Sequence, residues 1–219
     1  YLRGRELYYR YTKDDNEQAI DLFKKSIALD SAYALAYAGL GDAYAQRVQR
    51  FSFPDAWNDS SLALAQQAIV LDPNIAEPYK ALGLAYYQHG WLQKAMEQYR
   101  SAIELSPNFA SPVANLSRIL RDTGRLAEAL PLMQKSIILN AGRATYYFEL
   151  GLLYVYMVDD SLAEHWLRYS MRIQPDLTFP YSDLAKLYAT QGKLNEAKEL
   201  MDQSMTKAPD DPYVLVGAG

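Results

Sequence analysis

This chain of 219 residues has no cysteine and only two histidines. Disulfides and thiolate metal sites are excluded, while the redox compartment stays open. His89 falls in a turn between helices and His165 on a helix, so both read as surface residues rather than as a metal or catalytic pair. No stretch of about 18 apolar residues occurs, and no membrane insertion is expected. Basic excess is missing too. With 22 basic against 26 acidic residues the net charge is −4, which argues against a nucleic-acid backbone as the main partner. Neither G-x-x-x-x-G-K-[ST] nor H-E-x-x-H is found, and the G-x-G begun by Gly39 and Gly41 meets Tyr44 where its third glycine belongs. The carboxylate pairs Asp14 and Asp15, Asp159 and Asp160, and Asp210 and Asp211 each precede a helix. There they cap free N–H groups and meet the positive end of the dipole. No catalytic residue, cofactor or metal is expected, and the chain does not read as an enzyme.

What is present is periodic. Leu82, Gly83, Tyr86, Ala95, Tyr99, Ala102 and Pro107 return 68 residues later as Leu150, Gly151, Tyr154, Ala163, Leu167, Ser170 and Pro175. A further step of 34 gives Leu184, Ala185, Tyr188, Ala197, Met201, Ser204 and Pro209. This pattern resembles the tetratricopeptide repeat, in which each unit is a helix, a turn and a second helix. The resemblance implies an all-α fold, a right-handed superhelical solenoid of antiparallel helix pairs, as one domain over residues 1–219. Its units run at about 1–33, 34–75, 76–109, 110–143, 144–177 and 178–211, with 212–219 the truncated start of a further helix. More loosely, the opening from Tyr1 to Ile20 resembles the start of repeat arrays attached to bacterial signalling proteins such as cyclases, Ser/Thr kinases and winged-helix regulators. The first residue is Tyr1 rather than Met, so a segment of something longer is expected, with the cytoplasm the favoured compartment.

Neither helix of such a unit can bury its apolar stripe alone, and stacking supplies the missing surface. The small residues Gly41, Gly83, Ser117, Gly151 and Ala185 mark where helix backbones are expected to approach closely. Tyr37, Tyr44, Tyr79, Tyr86, Tyr147, Tyr154, Tyr181 and Tyr188 flank them as knobs opposite holes. Asp14, Asp15 and Asn16 are candidate N-caps for the second helix of the first unit. The second unit is eight residues longer than the others, and its turn carries Phe51, Phe53 and Trp57. Two readings stand: these aromatics close a local core, or they overhang the groove and touch a ligand or partner.

The groove itself is the expected working surface. Helical spacing places an apolar zone of Leu84, Tyr87, Phe148, Leu152 and Val155 around a basic centre of Arg118 and Arg121, with Lys80 to one side and Lys186 to the other. Family members that grip a chaperone's terminal carboxylate use a five-residue clamp. Here Lys80 and Asn115 match it, but Leu84, Thr145 and Glu149 do not, so that activity is not expected. Asp122 is expected to point away from the two arginines, leaving them free for a carboxylate. The resemblance therefore implies a protein-interaction scaffold whose groove takes a peptide or protein segment. That segment would carry an acidic residue at its centre and apolar anchors toward Tyr87 and Phe148. The alternative is a peptide or small-ligand sensor that regulates an attached effector or enzyme domain.

Overall fold

The structure, a computed structural model, describes residues 1–51 and 53–207. Among them are twelve α-helices and no strand. The first six are α1 (Leu2–Tyr8), α2 (Lys13–Leu29), α3 (Ala34–Phe51), α4 (Ala56–Leu71), α5 (Ala76–Gln88) and α6 (Leu92–Leu105). The others are α7 (Ala110–Asp122), α8 (Leu126–Leu139), α9 (Ala144–Tyr156), α10 (Asp160–Ile173), α11 (Phe179–Thr190) and α12 (Leu194–Lys207). The helix expected beyond Pro212, with Pro209, Asp210 and Asp211, lies outside the described residues. The chain divides into two compact units, Tyr1–Asn115 and Leu116–Gly219, with the boundary inside α7.

In the first unit, helices pair as hairpins because short turns return the chain against the face it has just left. Leu7, Tyr8, Ala19, Ile20, Phe23, Leu40, Ala43 and Tyr44 form one core cluster. Phe23 is held between two glycines: a Cβ at Gly4 or at Gly39 would stand 2.9 or 2.6 Å from its ring. At Gly83 the expectation of backbone against backbone is corrected. A Cβ there would meet the Tyr99 ring at 2.6 Å, so the glycine makes room for a large side chain of α6. Gly41 does lie against backbone: a Cβ there would stand 3.1 Å from the Ser61 carbonyl oxygen. The capping expectation for α2 is corrected as well. Thr12 is the N-cap, its hydroxyl accepting from the Asp15 N–H at 3.1 Å. Asn16 is instead buried in the core, donating to the Ala43 carbonyl at 3.0 Å and to Gln46 Oε1 at 2.8 Å. Its short polar side chain bridges α2 to α3 rather than closing a helix end.

The long turn extends both helices around it: α3 has 18 residues and α4 has 16, against 13 and 14 in α5 and α6. Phe51 ends α3, and Pro54 and Asp55 lead into α4. Trp57 meets Tyr44 edge to face at 4.5 Å, and the Arg47 guanidinium lies over Phe53 and Trp57 at 4.7 and 4.9 Å.

The second unit repeats the same devices. The Tyr147 and Tyr181 hydroxyls donate to the carbonyls of Ala141 and Pro175, six residues earlier, at 3.0 and 3.1 Å. Tyr79 does the same to Pro73 in the first unit, at 3.0 Å. Ser170 of α10 donates to the Ala144 carbonyl at 2.8 Å, pinning it to the start of α9. Each hairpin turns through one residue of positive φ, which is Gly124 at +76° and Gly192 at +75°, but Val158 at 59°. Asp159 caps α10, accepting from the Leu162 N–H at 3.0 Å.

Candidate functional site

Within the second unit, one side of α9 and one side of α11, together with the end of α7, line an open pocket of about 350 Å³. Arg121, Leu152, Val155, Tyr156, Asp183, Lys186, Leu187 and Thr190 line it. The spacing of Leu152, Val155 and Tyr156 on α9, and of Asp183, Lys186, Leu187 and Thr190 on α11, puts each set on one side of its helix. Leu152, Val155 and Leu187 give it an apolar wall, and among its polar residues Arg121 is buried while Tyr156, Lys186 and Thr190 are exposed. Tyr156, about half exposed, lies under the Arg121 guanidinium at 5.5 Å. Lys186 bonds to Asp183 at 3.1 Å, one turn back on α11.

The basic centre expected from Arg118 and Arg121 is corrected. Arg121 Nη1 donates to Glu149 Oε2, while its Nε and Nη2 donate to Asp122 Oδ1 at 3.0 and 2.8 Å. Asp122 thus points toward Arg121, not away. Arg118 Nη1 stands 4.0 Å from Glu149 Oε1. Burial works against the Arg121 charge, yet the Glu149 and Asp122 carboxylates outweigh it and hold its pKa above the ordinary arginine value. Packing of α9 beside α7 brings Glu149 between the two guanidinium groups, so the cluster is internally compensated.

Four expected residues, Arg121, Leu152, Val155 and Lys186, therefore meet at one pocket. Phe148 does not. It is 2% exposed and packs edge to face on Phe179 at 4.5 Å, which makes it core rather than an open anchor. Lys80 and Leu84 lie in the first unit and are buried, Lys80 in an ion pair with Asp42. Neither is available to a ligand as expected, because α3 and α5 pack closely enough to enclose them. Tyr87 is half-buried in the first unit. Phe51, Phe53 and Trp57 are half-buried at the long turn. Spacing alone missed Tyr156, Asp183, Leu187 and Thr190. The signal that reaches them is the stripe on α11 read one turn to either side of Lys186, with the last turn of α9. Among the described residues no group of three or more His, Asp or Glu side chains is placed to hold a metal ion, and no helix is long and apolar enough to cross a membrane.

Residues 76–109 match the sequence pattern of one tetratricopeptide-repeat family, and residues 114–140 and 181–208 match that of another. No curated protein matches this sequence. Among solved structures, the tetratricopeptide-repeat protein TTC0263 of Thermus thermophilus superposes with a TM-score of 0.68 at 23% identity, over 74% of this chain and 88% of that one. PilF of Pseudomonas aeruginosa gives 0.65 at 22% identity, over 82% of this chain and 78% of that one. YrrB, described as a tetratricopeptide-repeat protein with an unusual peptide-binding site, gives 0.53 at 18% identity, over 90% and 97% of the two chains. At these identities the likeness is one of fold.

Proposed function

We propose that this chain, a tetratricopeptide-repeat protein, is a protein-interaction scaffold whose second unit receives an extended or helical segment of a partner in the pocket between α9 and α11. The observation that carries this reading is the chemistry of the pocket: apolar Leu152, Val155 and Leu187 beside polar Arg121, Tyr156, Asp183, Lys186 and Thr190. About 350 Å³ lies within the range of small binding sites and accommodates one large side chain with its neighbours. The anchor is therefore an apolar residue such as leucine, methionine or phenylalanine. Charge sets the second requirement. Glu149 and Asp122 already compensate Arg118 and Arg121, and Asp183 compensates Lys186, so the site does not select for a strongly acidic partner. An acidic residue beside the anchor pairs with Lys186, whose contact to Asp183 is exposed and worth little. The fold presents binding surface rather than reacting groups, which supports a binding role over a catalytic one. YrrB, with its peptide-binding site, offers a precedent for this fold.

Site-specific photo-cross-linking tests the reading in the full chain. A benzophenone side chain placed at Thr190, at the exposed edge of the pocket, is expected to cross-link the partner. The same group at Ile138, exposed on α8, is expected to give none of that product. Equal cross-linking from both positions would place the contact elsewhere.

A further inference from the structure

At the tip of the hairpin formed by α9 and α10, the large apolar side chains of Tyr156, Met157, Val158 and Leu162 are all exposed. In the three hairpins that turn through glycine, the same places hold Gln88, His89, Gly90 and Lys94, or only Asp, Thr, Gly, Gln and Glu around Gly124 and Gly192. The fold therefore does not require apolar residues there. Val158 also holds a left-handed backbone, φ 59°, that a β-branched residue adopts only at a cost, and strain of that kind points to a use beyond folding. The tip is firmly held. The N–H groups of Met157, Val158 and Asp159 donate to the carbonyls of Leu153, Val155 and Tyr154 at 3.0 Å, and Gln191 Nε2 donates to Asp160 Oδ2 at 3.0 Å. Tyr156 lines the pocket and Gln191 follows Thr190 at its exposed edge, so tip and pocket are continuous.

We propose that this tip is a second subsite for the partner segment, where an apolar side chain beyond the anchor lies on Met157 and Val158 and a Lys or Arg reaches Asp159 and Asp160. It rests on the pocket being the binding site. Charge decides the chemistry of the occupant. Lys186 is paired with Asp183, Arg168 with Glu164, and Arg121 with Glu149 and Asp122, while Lys193 stands over the Tyr188 ring at 4.9 Å. Asp159 accepts from the Leu162 N–H and Asp160 from Gln191, but neither forms an ion pair among the described residues. The tip thus joins apolar surface to uncompensated negative charge. That charge repels anionic lipid headgroups, and a second copy docked tip to tip would bring like charges together, so a segment with a basic end is the occupant that fits. Apolar residues three or four apart on a helical segment stand about one turn, about 5.4 Å, from each other and reach adjoining subsites together. A tip already held by its own hydrogen bonds adds little ordering cost to binding.

Random peptides displayed on phage and selected on the full chain supply the probes, and their affinities are measured by calorimetry. Enriched sequences are expected to carry two apolar residues three or four apart with a Lys or Arg beyond the second. Met157→Thr with Val158→Gly gives the tip the residues found at Thr123 and Gly124, and is expected to weaken binding about tenfold at parental or higher stability. Asp160→Asn is expected to weaken it roughly twofold to fivefold, and to have no effect on a peptide whose basic residue is replaced by Gln. Ile138→Thr, which removes an equally exposed apolar side chain from α8, leaves affinity unchanged. If the double variant unfolds, Asp160→Asn carries the test. Peptides weakened by Thr190→Trp but by neither tip variant would overturn this subsite and leave the pocket reading standing; peptides weakened by none of the three would remove both. Binding of the parent chain to phosphatidylglycerol vesicles, or concentration-dependent dimerisation, that the double variant loses would assign the tip to another occupant and overturn the proposal.

Discussion

Lys80 on α5 and Asp42 on α3 form an ion pair in which both residues are only 3% exposed. The Lys80 ammonium also sits over the Tyr8 ring at 5.4 Å, and Asp42 Oδ1 is buried without a partner. The pair therefore ties two hairpins of the first unit rather than offering a cation to a ligand. Removing one partner leaves an uncompensated buried charge, which costs far more than losing the pair together. Lys80→Met is expected to lower stability by about 3 kcal/mol or more, and Asp42→Leu with Lys80→Met to recover most of it. Urea denaturation of the three proteins measures this, and an additive double variant would contradict it.

Gly83 faces the fully buried ring of Tyr99. Gly83→Leu inserts a side chain where even a Cβ stands at 2.6 Å, and a loss of roughly 1 to 3 kcal/mol or more is expected. A denaturation midpoint equal to the parent's would show that the α5 and α6 hairpin is packed differently.

Val158 takes a turn position that glycine fills at Gly90, Gly124 and Gly192, with φ of 59° against +74° to +76°. A β-branched residue is strained there, and Val158 is 84% exposed, so it gains little packing in return. Val158→Gly is expected to raise stability by about 1 kcal/mol, less the added freedom of glycine in the unfolded chain. A lower melting temperature in this variant would contradict the strain.

Trp57 closes the long turn against Tyr44 and the Arg47 guanidinium. Since it is half-buried, Trp57→Ala is expected to cost about 2 kcal/mol, below the range for a fully buried aromatic. Partner binding is expected to stay intact. Lost binding with unchanged stability would move the turn from structure to recognition.

Helix pairing was legible because its determinants are local. The Leu-Gly pair, the tyrosines around it and the alanines of the second helix fall at helical spacing within each unit, and spacing is all that a face requires. The same rule picked out Arg121, Leu152, Val155 and Lys186 at the pocket. Depth and pairing were not legible. Lys80 meets Asp42 across 38 residues and Arg121 meets Glu149 across 28, and nothing in the residues near either cation announces its partner. Phe148 and Leu152 share a stripe four residues apart, but packing against Phe179 buries the first and leaves the second at the pocket wall. Asn16 read as a cap because it follows two aspartates; its role as a core bridge depends on Gln46 and Ala43 of another helix.

The central claim is that the pocket between α9 and α11 recognises an apolar anchor of a protein segment. Peptides selected by display against the full chain, measured by calorimetry against the parent and against Thr190→Trp, test it most directly. Thr190 is exposed at the pocket edge, so a tryptophan there fills the cavity without entering the core. At least a tenfold loss of affinity, about 1.4 kcal/mol, is predicted with helicity unchanged. Parent-like affinity in Thr190→Trp would contradict the account.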